Sequence, residues 1–303
     1  MRVTVSDVVS PSYFVATAAV ELGYFKSEGL DAEFVQTPAE ASQSLREGGV
    51  DFVGGSAYTG LRAFPGWRGG KLLCALSHYT YWFLAIRVDI PAKQGDIDAV
   101  KGLRISASRG PGLALQKVLE DGGIDLERDK VQIVDTGHAP DGNWAWDGIR
   151  AIESGQADAY WGNGMRADLG IKRGVAKLLL DIRRGDGPPI ARTYTFPALV
   201  TTDRLIETQP EAAAGAVRAI VKTQRALRSD PSLATQVARR LFPPTETELI
   251  AGQIARDAEF YDPAITESMV EGASRFARRV DMLDAPVTFE QVVALQFRDL
   301  WQG

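Results

Sequence analysis

The order in which strand-like and helix-like stretches alternate constrains this chain more than any other feature. Val3 and Val5 alternate with Arg2 and Thr4, the period of a half-buried strand, until Ser10-Pro11-Ser12 breaks it. Tyr13 to Phe25 then carries Phe14, Ala18 and Leu22 at helical spacing, with Gly23 near its end. Leu30 to Gln36 reads as a second strand, Ala39 to Glu47 as a helix closed by Gly48-Gly49, and Val50 to Gly55 as a third strand running into glycines. Such a β-α-β-α-β order with short connections implies parallel strands covered by helices. The same grammar returns near residue 100. Gly102 to Ser106 is a strand, Ser108-Arg109-Gly110-Pro111-Gly112 a turn, and Leu113 to Asp121 a helix. Lys130 to Val134 is a strand, Trp146 to Ser154 a helix, and Ala157 to Trp161 a strand that ends at Gly162.

Two matching apolar segments, Tyr81 to Val88 and Tyr194 to Thr201, bracket the second unit and read as strands that cross between two lobes. The expected boundaries are therefore 1–88 with 195–303 for lobe one and 89–194 for lobe two. After residue 201 the pattern is helical: Pro210 to Ser229, then 232–241, 245–258 and 265–280, with Pro210 where a first helical turn accepts it. At 303 residues, 45% hydrophobic and 24% charged, the chain can bury two cores. The expected class is α/β, with a mainly parallel sheet flanked by helices in each lobe.

Composition also removes several functions. A net charge of -5 without a basic stripe argues against a nucleic-acid partner. One cysteine, Cys74, and two separated histidines, His78 and His138, give no disulfide and no metal-ligand spacing, so neither metal nor cofactor is expected. No apolar run is long enough for a membrane-spanning helix. The N-terminus already reads as a strand and shows no secretory signal, which leaves two alternatives: a trimmed export signal and a periplasmic protein, or a cytoplasmic one.

Five elements in order carry a family resemblance. Ala18 to Asp31 (AAVELGYFKSEGLD) resembles the opening of the substrate-binding proteins of the alkanesulfonate, taurine and nitrate type and of the related thiamine-pyrimidine synthases. Ser44 to Phe52 (SLREGGVDF), Lys101 to Ile105 (KGLRI), Ile152 to Ala159 (IESGQADA) and the helix from Gln209 are similar to later elements of that family. The resemblance implies a type II periplasmic-binding-protein fold that closes about two crossing strands. It further implies one small organic ligand between the lobes, a monomer, and an ABC-transporter permease as partner.

Ligands of open α/β sheets sit beyond the carboxyl ends of the strands, near helix N-termini. That rule selects five loops. Ser10, Ser12 and Tyr13 follow the first strand and suit a carboxylate or sulfonate; Ser12 equally suits a helix cap. Ser56, Tyr58 and Thr59 follow the glycines of the third. Around His78, Tyr79 and Tyr81 lies the densest polar-aromatic cluster of the chain. In lobe two, Arg109 and Gly110 open a helix, and Trp161 and Asn163 end a strand. Tyr194 begins the returning segment, and Trp144 with Trp146 suggests a lid or satellite packing.

Three functions fit these residues. A solute receptor feeding an ABC importer would bind a small organic anion or an aromatic acid without turnover. An enzyme on the same fold would need His78 as base or nucleophile, because Cys74 lies in the apolar strand Leu72 to Leu76, where a thiol is inert. A ligand sensor would use the same residues to report on a metabolite. The receptor is ranked first.

Overall fold

A computed structural model describes residues 1–36, 40–136 and 146–302, with the side chain of Arg109 outside that description. Ten strands are present among the described residues: β1 (Arg2–Val5), β2 (Glu33–Phe34), β3 (Phe52–Ser56), β4 (Gly70–Ala75), β5 (Phe83–Arg87), β6 (Arg104–Ser106), β7 (Gln132–Val134), β8 (Ala159–Gly162), β9 (Ala176–Asp181) and β10 (Pro197–Thr202). They form two five-stranded sheets, β2-β1-β3-β10-β4 and β7-β6-β8-β5-β9. Contacts divide the chain into unit 1, Met1–Tyr79 with Thr193–Gly303, and unit 2, Thr80–Arg192.

Each sheet is mixed in the same way. β1 runs parallel to β2 and β3, whereas β10 is antiparallel to β3 and β4. β6 runs parallel to β7 and β8, whereas β5 is antiparallel to β8 and β9. The two segments expected to cross thus end as the antiparallel strand of the unit each enters, starting at Phe83 and Pro197 rather than at Tyr81 and Tyr194.

Seven helices serve the strands of the two units. They are α1 (Phe14–Glu21), α2 (Tyr24–Ser27), α3 (Ala41–Arg46), α4 (Tyr58–Ala63), α5 (Arg109–Asp121), α6 (Asp147–Glu153) and α7 (Gly164–Lys172). The single helix expected over Tyr13 to Phe25 is broken because Gly23 adopts φ 78°, a left-handed conformation that stops α1 and starts α2. The expected turn at 108–112 is instead the first turn of α5. Pro111 is tolerated there because first-turn N–H groups have no helical acceptor. The strand β9, AKLLLD, fills the edge of the second sheet and was not anticipated by the alternation. Helices α8 (Asp203–Thr208), α9 (Pro210–Ser229), α10 (Leu233–Leu241), α11 (Pro244–Asp257), α12 (Glu267–Arg279) and α13 (Phe289–Val292) complete unit 1. α9 is fastened to β4 by Gln224, whose Nε2 donates to the carbonyls of Ala75 and Leu76.

A repeated clamp fixes the start of the central parallel strand in each sheet. In unit 1 the Arg2 N–H donates to Asp51 Oδ2 at 2.7 Å, and Arg2 Nη2 donates to the Gly48 carbonyl at 2.8 Å. In unit 2 the Arg104 N–H donates to Asp158 Oδ2 at 3.0 Å, and Arg104 Nη1 donates to the Gly155 carbonyl at 2.7 Å. Gly48 and Gly155, at φ 73° and 70°, turn the chain from α3 into β3 and from α6 into β8. The aspartates of the VDF and ADA motifs are therefore structural: they hold strand ends in register.

Candidate functional site

Both sheets change direction of winding between two neighbouring parallel strands, β1 and β3 in unit 1 and β6 and β8 in unit 2. Ligands of doubly wound sheets sit at such points. In unit 2 the carboxyl ends of β6, β7 and β8 border a small, open depression. Ser106 and Thr136 line it, their hydroxyls bonded to each other at 2.7 Å. Ser108, the residue before α5, brings that helix's N-terminus to the same depression.

Tyr160, Trp161 and Arg166 line it as well. Tyr160 and Trp161 are each 1% exposed, yet Tyr160 Oη, Trp161 Nε1 and Arg166 Nε have no hydrogen-bond partner among the described residues. Leaving such a group without a partner costs about 1–3 kcal/mol, and more if charged. Three such groups belong to residues that line one depression, which makes it a candidate for an outside acceptor. Burial holds the Tyr160 phenol well above its ordinary range, so it stays protonated and donates. Trp82 packs on Trp161, ring centroids 5.8 Å apart, giving that residue an aromatic flank.

Two glycines seat these groups. A Cβ on Gly162 would lie 3.2 Å from Arg166 Cδ, so the missing side chain lets the arginine run across the end of β8. A Cβ on Gly148 would lie 2.8 Å from the Tyr160 ring, so α6 approaches that ring only because Gly148 is bare. Asn163 accepts from the Arg166 N–H at 3.2 Å and caps α7, which fixes the backbone from which Arg166 projects. Two carboxylates, Asp135 and Asp147, also border the depression.

The remaining expected residues of unit 2 are placed as follows. Tyr81 is buried beside Trp82, with the Arg183 guanidinium 6.0 Å from its ring. Gly110 lies in the first turn of α5 with Arg109, whose side chain is outside the described residues. His138 and Trp144 also lie outside them, and Trp146 has the Arg173 guanidinium 5.4 Å from its ring. Arg166 and Tyr160, which line the depression, are not singled out by the sequence reading. Their signal was a helix cap followed three residues later by arginine, directly after a strand ending in Tyr-Trp-Gly.

In unit 1, Ser10, Ser12, Ser56 and Thr59 are all buried near the ends of β1 and β3, and Ser10 Oγ has no partner among the described residues. Tyr13 is buried just before α1. Tyr58 and Tyr194 belong to the core rather than to an open face. The Tyr58 hydroxyl donates to the carbonyls of Tyr194 and Ala273, and the Tyr194 ring stacks on Phe276 at 4.4 Å. Their rings are buried and the Tyr58 hydroxyl is already engaged, which suits packing. His78 Nε2 lies 2.8 Å from the Ala264 carbonyl, and Tyr79, at φ 66°, sets its ring edge-on to Phe260. Cys74 is wholly buried in β4, and burial pushes its thiol far above the range of a nucleophile. The unit 2 depression, which unites a guanidinium, two unpartnered donors and a helix N-terminus, is the better-equipped candidate.

Comparison with known proteins agrees with this architecture. No curated protein sequence matches the chain. Among solved structures it is similar to a periplasmic sulfonate-binding protein, SsuA, of Methylobacillus flagellatus KT. That match has 17% identity and a TM-score of 0.71, over 98% of this chain and 92% of that one. The periplasmic nitrate-binding protein NrtA of Synechocystis PCC 6803 gives 13% identity and a TM-score of 0.67, over 99% and 86%. The desulfurization enzyme DSZB, with biphenyl-2-sulfinic acid bound, gives 16% identity and a TM-score of 0.69, over 98% and 97%. These likenesses establish the type II periplasmic-binding-protein fold. The NMT1/THI5-like family model matches residues 10–234 of the 303, and the chain belongs to that family.

Proposed function

We propose that the protein is a solute-binding protein that holds a small organic anion or aromatic acid at the unit 2 depression, for delivery to the permease of an ABC importer. One observation carries this reading: three residues that line one opening, Tyr160, Trp161 and Arg166, each carry a buried side-chain donor without a partner among the described residues. An acid group placed there would accept from Arg166 and from whichever of the β8 donors, Tyr160 or Trp161, faces it, and a hydrogen bond to a charged partner contributes about 1.5–3 kcal/mol. The aromatic flank of Trp161 and Trp82 suits a planar ligand body. The periplasmic binding proteins among the similar structures support a periplasmic location and an import role. The desulfurization enzyme among them is the reason to test for turnover as well.

The test is a thermal-shift and calorimetric screen of aromatic carboxylates and sulfonates, with mass spectrometry of each ligand after incubation. A stabilising acid recovered intact, whose affinity falls sharply in Arg166→Gln, is the expected result. Conversion of the ligand would instead make the protein an enzyme. Full affinity in Arg166→Gln would remove the depression from the account.

A further inference from the structure

The chain passes between the units twice, after Tyr79 and before Thr193. Within unit 1 both passages are fastened to one C-terminal stretch, residues 260–279. At the first passage the His78 N–H donates to the Phe260 carbonyl at 2.9 Å, and His78 Nε2 lies 2.8 Å from the Ala264 carbonyl. The Ala75 N–H donates to the Pro263 carbonyl at 2.9 Å. Tyr79 itself sits at φ 66°, a conformation that is costly for a residue with a Cβ and persists where its surroundings impose it. Phe260, with its ring centroid 6.0 Å from that of Tyr79, is part of those surroundings. At the second passage α12 comes so close that a Cβ on Gly272 would lie 2.6 Å from the Thr193 Cβ and carbonyl oxygen. One turn further on, Phe276 stacks on the Tyr194 ring, and Arg279 Nη1 donates to the Tyr194 hydroxyl at 3.4 Å.

The stretch that joins the two attachments is held in place along its length. The Ala264 N–H donates to Asp262 Oδ1 at 2.9 Å, Thr266 caps α12 by accepting from the Met269 N–H, and Arg228 of α9 donates to the Tyr261 carbonyl at 3.4 Å. It lies beyond residues 10–234, the part that the family model matches. We propose that residues 260–279 are a brace that couples the two passages, so that bending at one is transmitted to the other. A ligand that favours one position of unit 2 then shifts both passages and the brace together, in a single equilibrium.

The test is hydrogen–deuterium exchange of the full chain without ligand, read by mass spectrometry of overlapping peptides. Gly272→Ala, which overpacks α12 against Thr193, and Phe276→Leu, which removes the stack on Tyr194, both act at the second passage. Exchange is expected to rise about ten-fold at residues 193–196 and also at 77–79 of the first passage. Phe260→Leu, at the first passage, should raise exchange at 193–196 in return. The strands β4 and β10 pair directly, and the Leu76 N–H donates to the Pro197 carbonyl, so the sheet offers a second route between the passages. Residues 70–74 and 198–202 should therefore keep their wild-type rates. A rise confined to the mutated passage overturns the coupling. A rise that includes β4 and β10 overturns the brace as its carrier, and so does an equal rise throughout unit 1. If Gly272→Ala does not fold, Phe276→Leu and Phe260→Leu decide by the same criteria.

Discussion

Units 1 and 2 are built on one plan and finished differently. Their sheets share strand order, the single antiparallel insertion and the Arg-Asp-Gly clamp at the start of the central strand. The difference lies just past β3 and β8. In unit 1 β3 leads into Tyr58, whose hydroxyl is satisfied by two carbonyls within the core. In unit 2 β8 leads through Gly162 and the cap Asn163 to Arg166, and Arg166 Nε, the Trp161 indole and the Tyr160 phenol have no partner among the described residues. The strand-to-helix connection of one topology is thus tied into the core in unit 1 and borders a depression in unit 2. The fold supplies the place, and a few side chains decide its use.

The clamps give the largest expected effect. Asp158 accepts from the Arg104 N–H, Nε and Nη2 and from Arg87 Nη1, joining β5, β6 and β8. Asp51 accepts from the Arg2 N–H in the shorter version. Asp158→Ala is expected to cost about 3 kcal/mol in chemical denaturation and Asp51→Ala about 1 kcal/mol. Equal losses would show that the guanidinium bonds of unit 2 add nothing. Next in size is the contrast at the strand ends. Arg166→Gln should weaken ligand binding about thirty-fold with the melting temperature nearly unchanged. Tyr58→Phe should do the reverse, costing about 1 kcal/mol of stability with affinity intact. A smaller effect is expected of Gly162→Ala. Its new methyl would press on Arg166, and calorimetry should show a several-fold loss of affinity while folding persists.

The smallest effect separates the units by acid sensitivity. Bonds from Arg104 hold the Asp158 carboxyl below its ordinary range, against the opposing effect of burial. At Glu28, burial alone would raise the carboxyl, but bonds from Arg218 and Lys222 outweigh it and hold it low. Both groups take up a proton more readily when unfolded. The stability each contributes is present above the ordinary carboxylate range and is lost as pH falls through the depressed folded value. Asp158→Asn and Glu28→Gln should each flatten the acid limb of a melting-temperature profile. The Glu28 effect should be below about 1 kcal/mol, because its partners are partly exposed and screened. An unchanged acid limb in both would place the acid sensitivity elsewhere.

Much of the fold was legible because period and punctuation are local. Gly23, Gly48 and Gly155 mark turns that need positive φ, and each stands where a helix hands over to the next element. The aspartates of the VDF and ADA motifs were visible, although their task, gripping a strand end some 50 residues away, was not. β9 was missed because a continuous apolar run at a sheet edge has no alternation to read. At the site, Trp161 and Asn163 were named from their place after a strand, yet Asn163 proves to be a cap. Arg166 escaped because an arginine inside a helix looks solvent-facing until Gly162 is seen to make room for it. Tyr58 and Tyr194 looked like open faces, since a sequence does not show which carbonyls their hydroxyls and rings will meet.

The most direct test of the central claim is a crystal structure of the protein with the tightest-binding acid from the screen. The account predicts that acid in the unit 2 depression, its acid oxygens within hydrogen-bond distance of Arg166 and of Tyr160 Oη or Trp161 Nε1. An acid bound at Ser10 or His78, with those three groups still unpartnered, would contradict it.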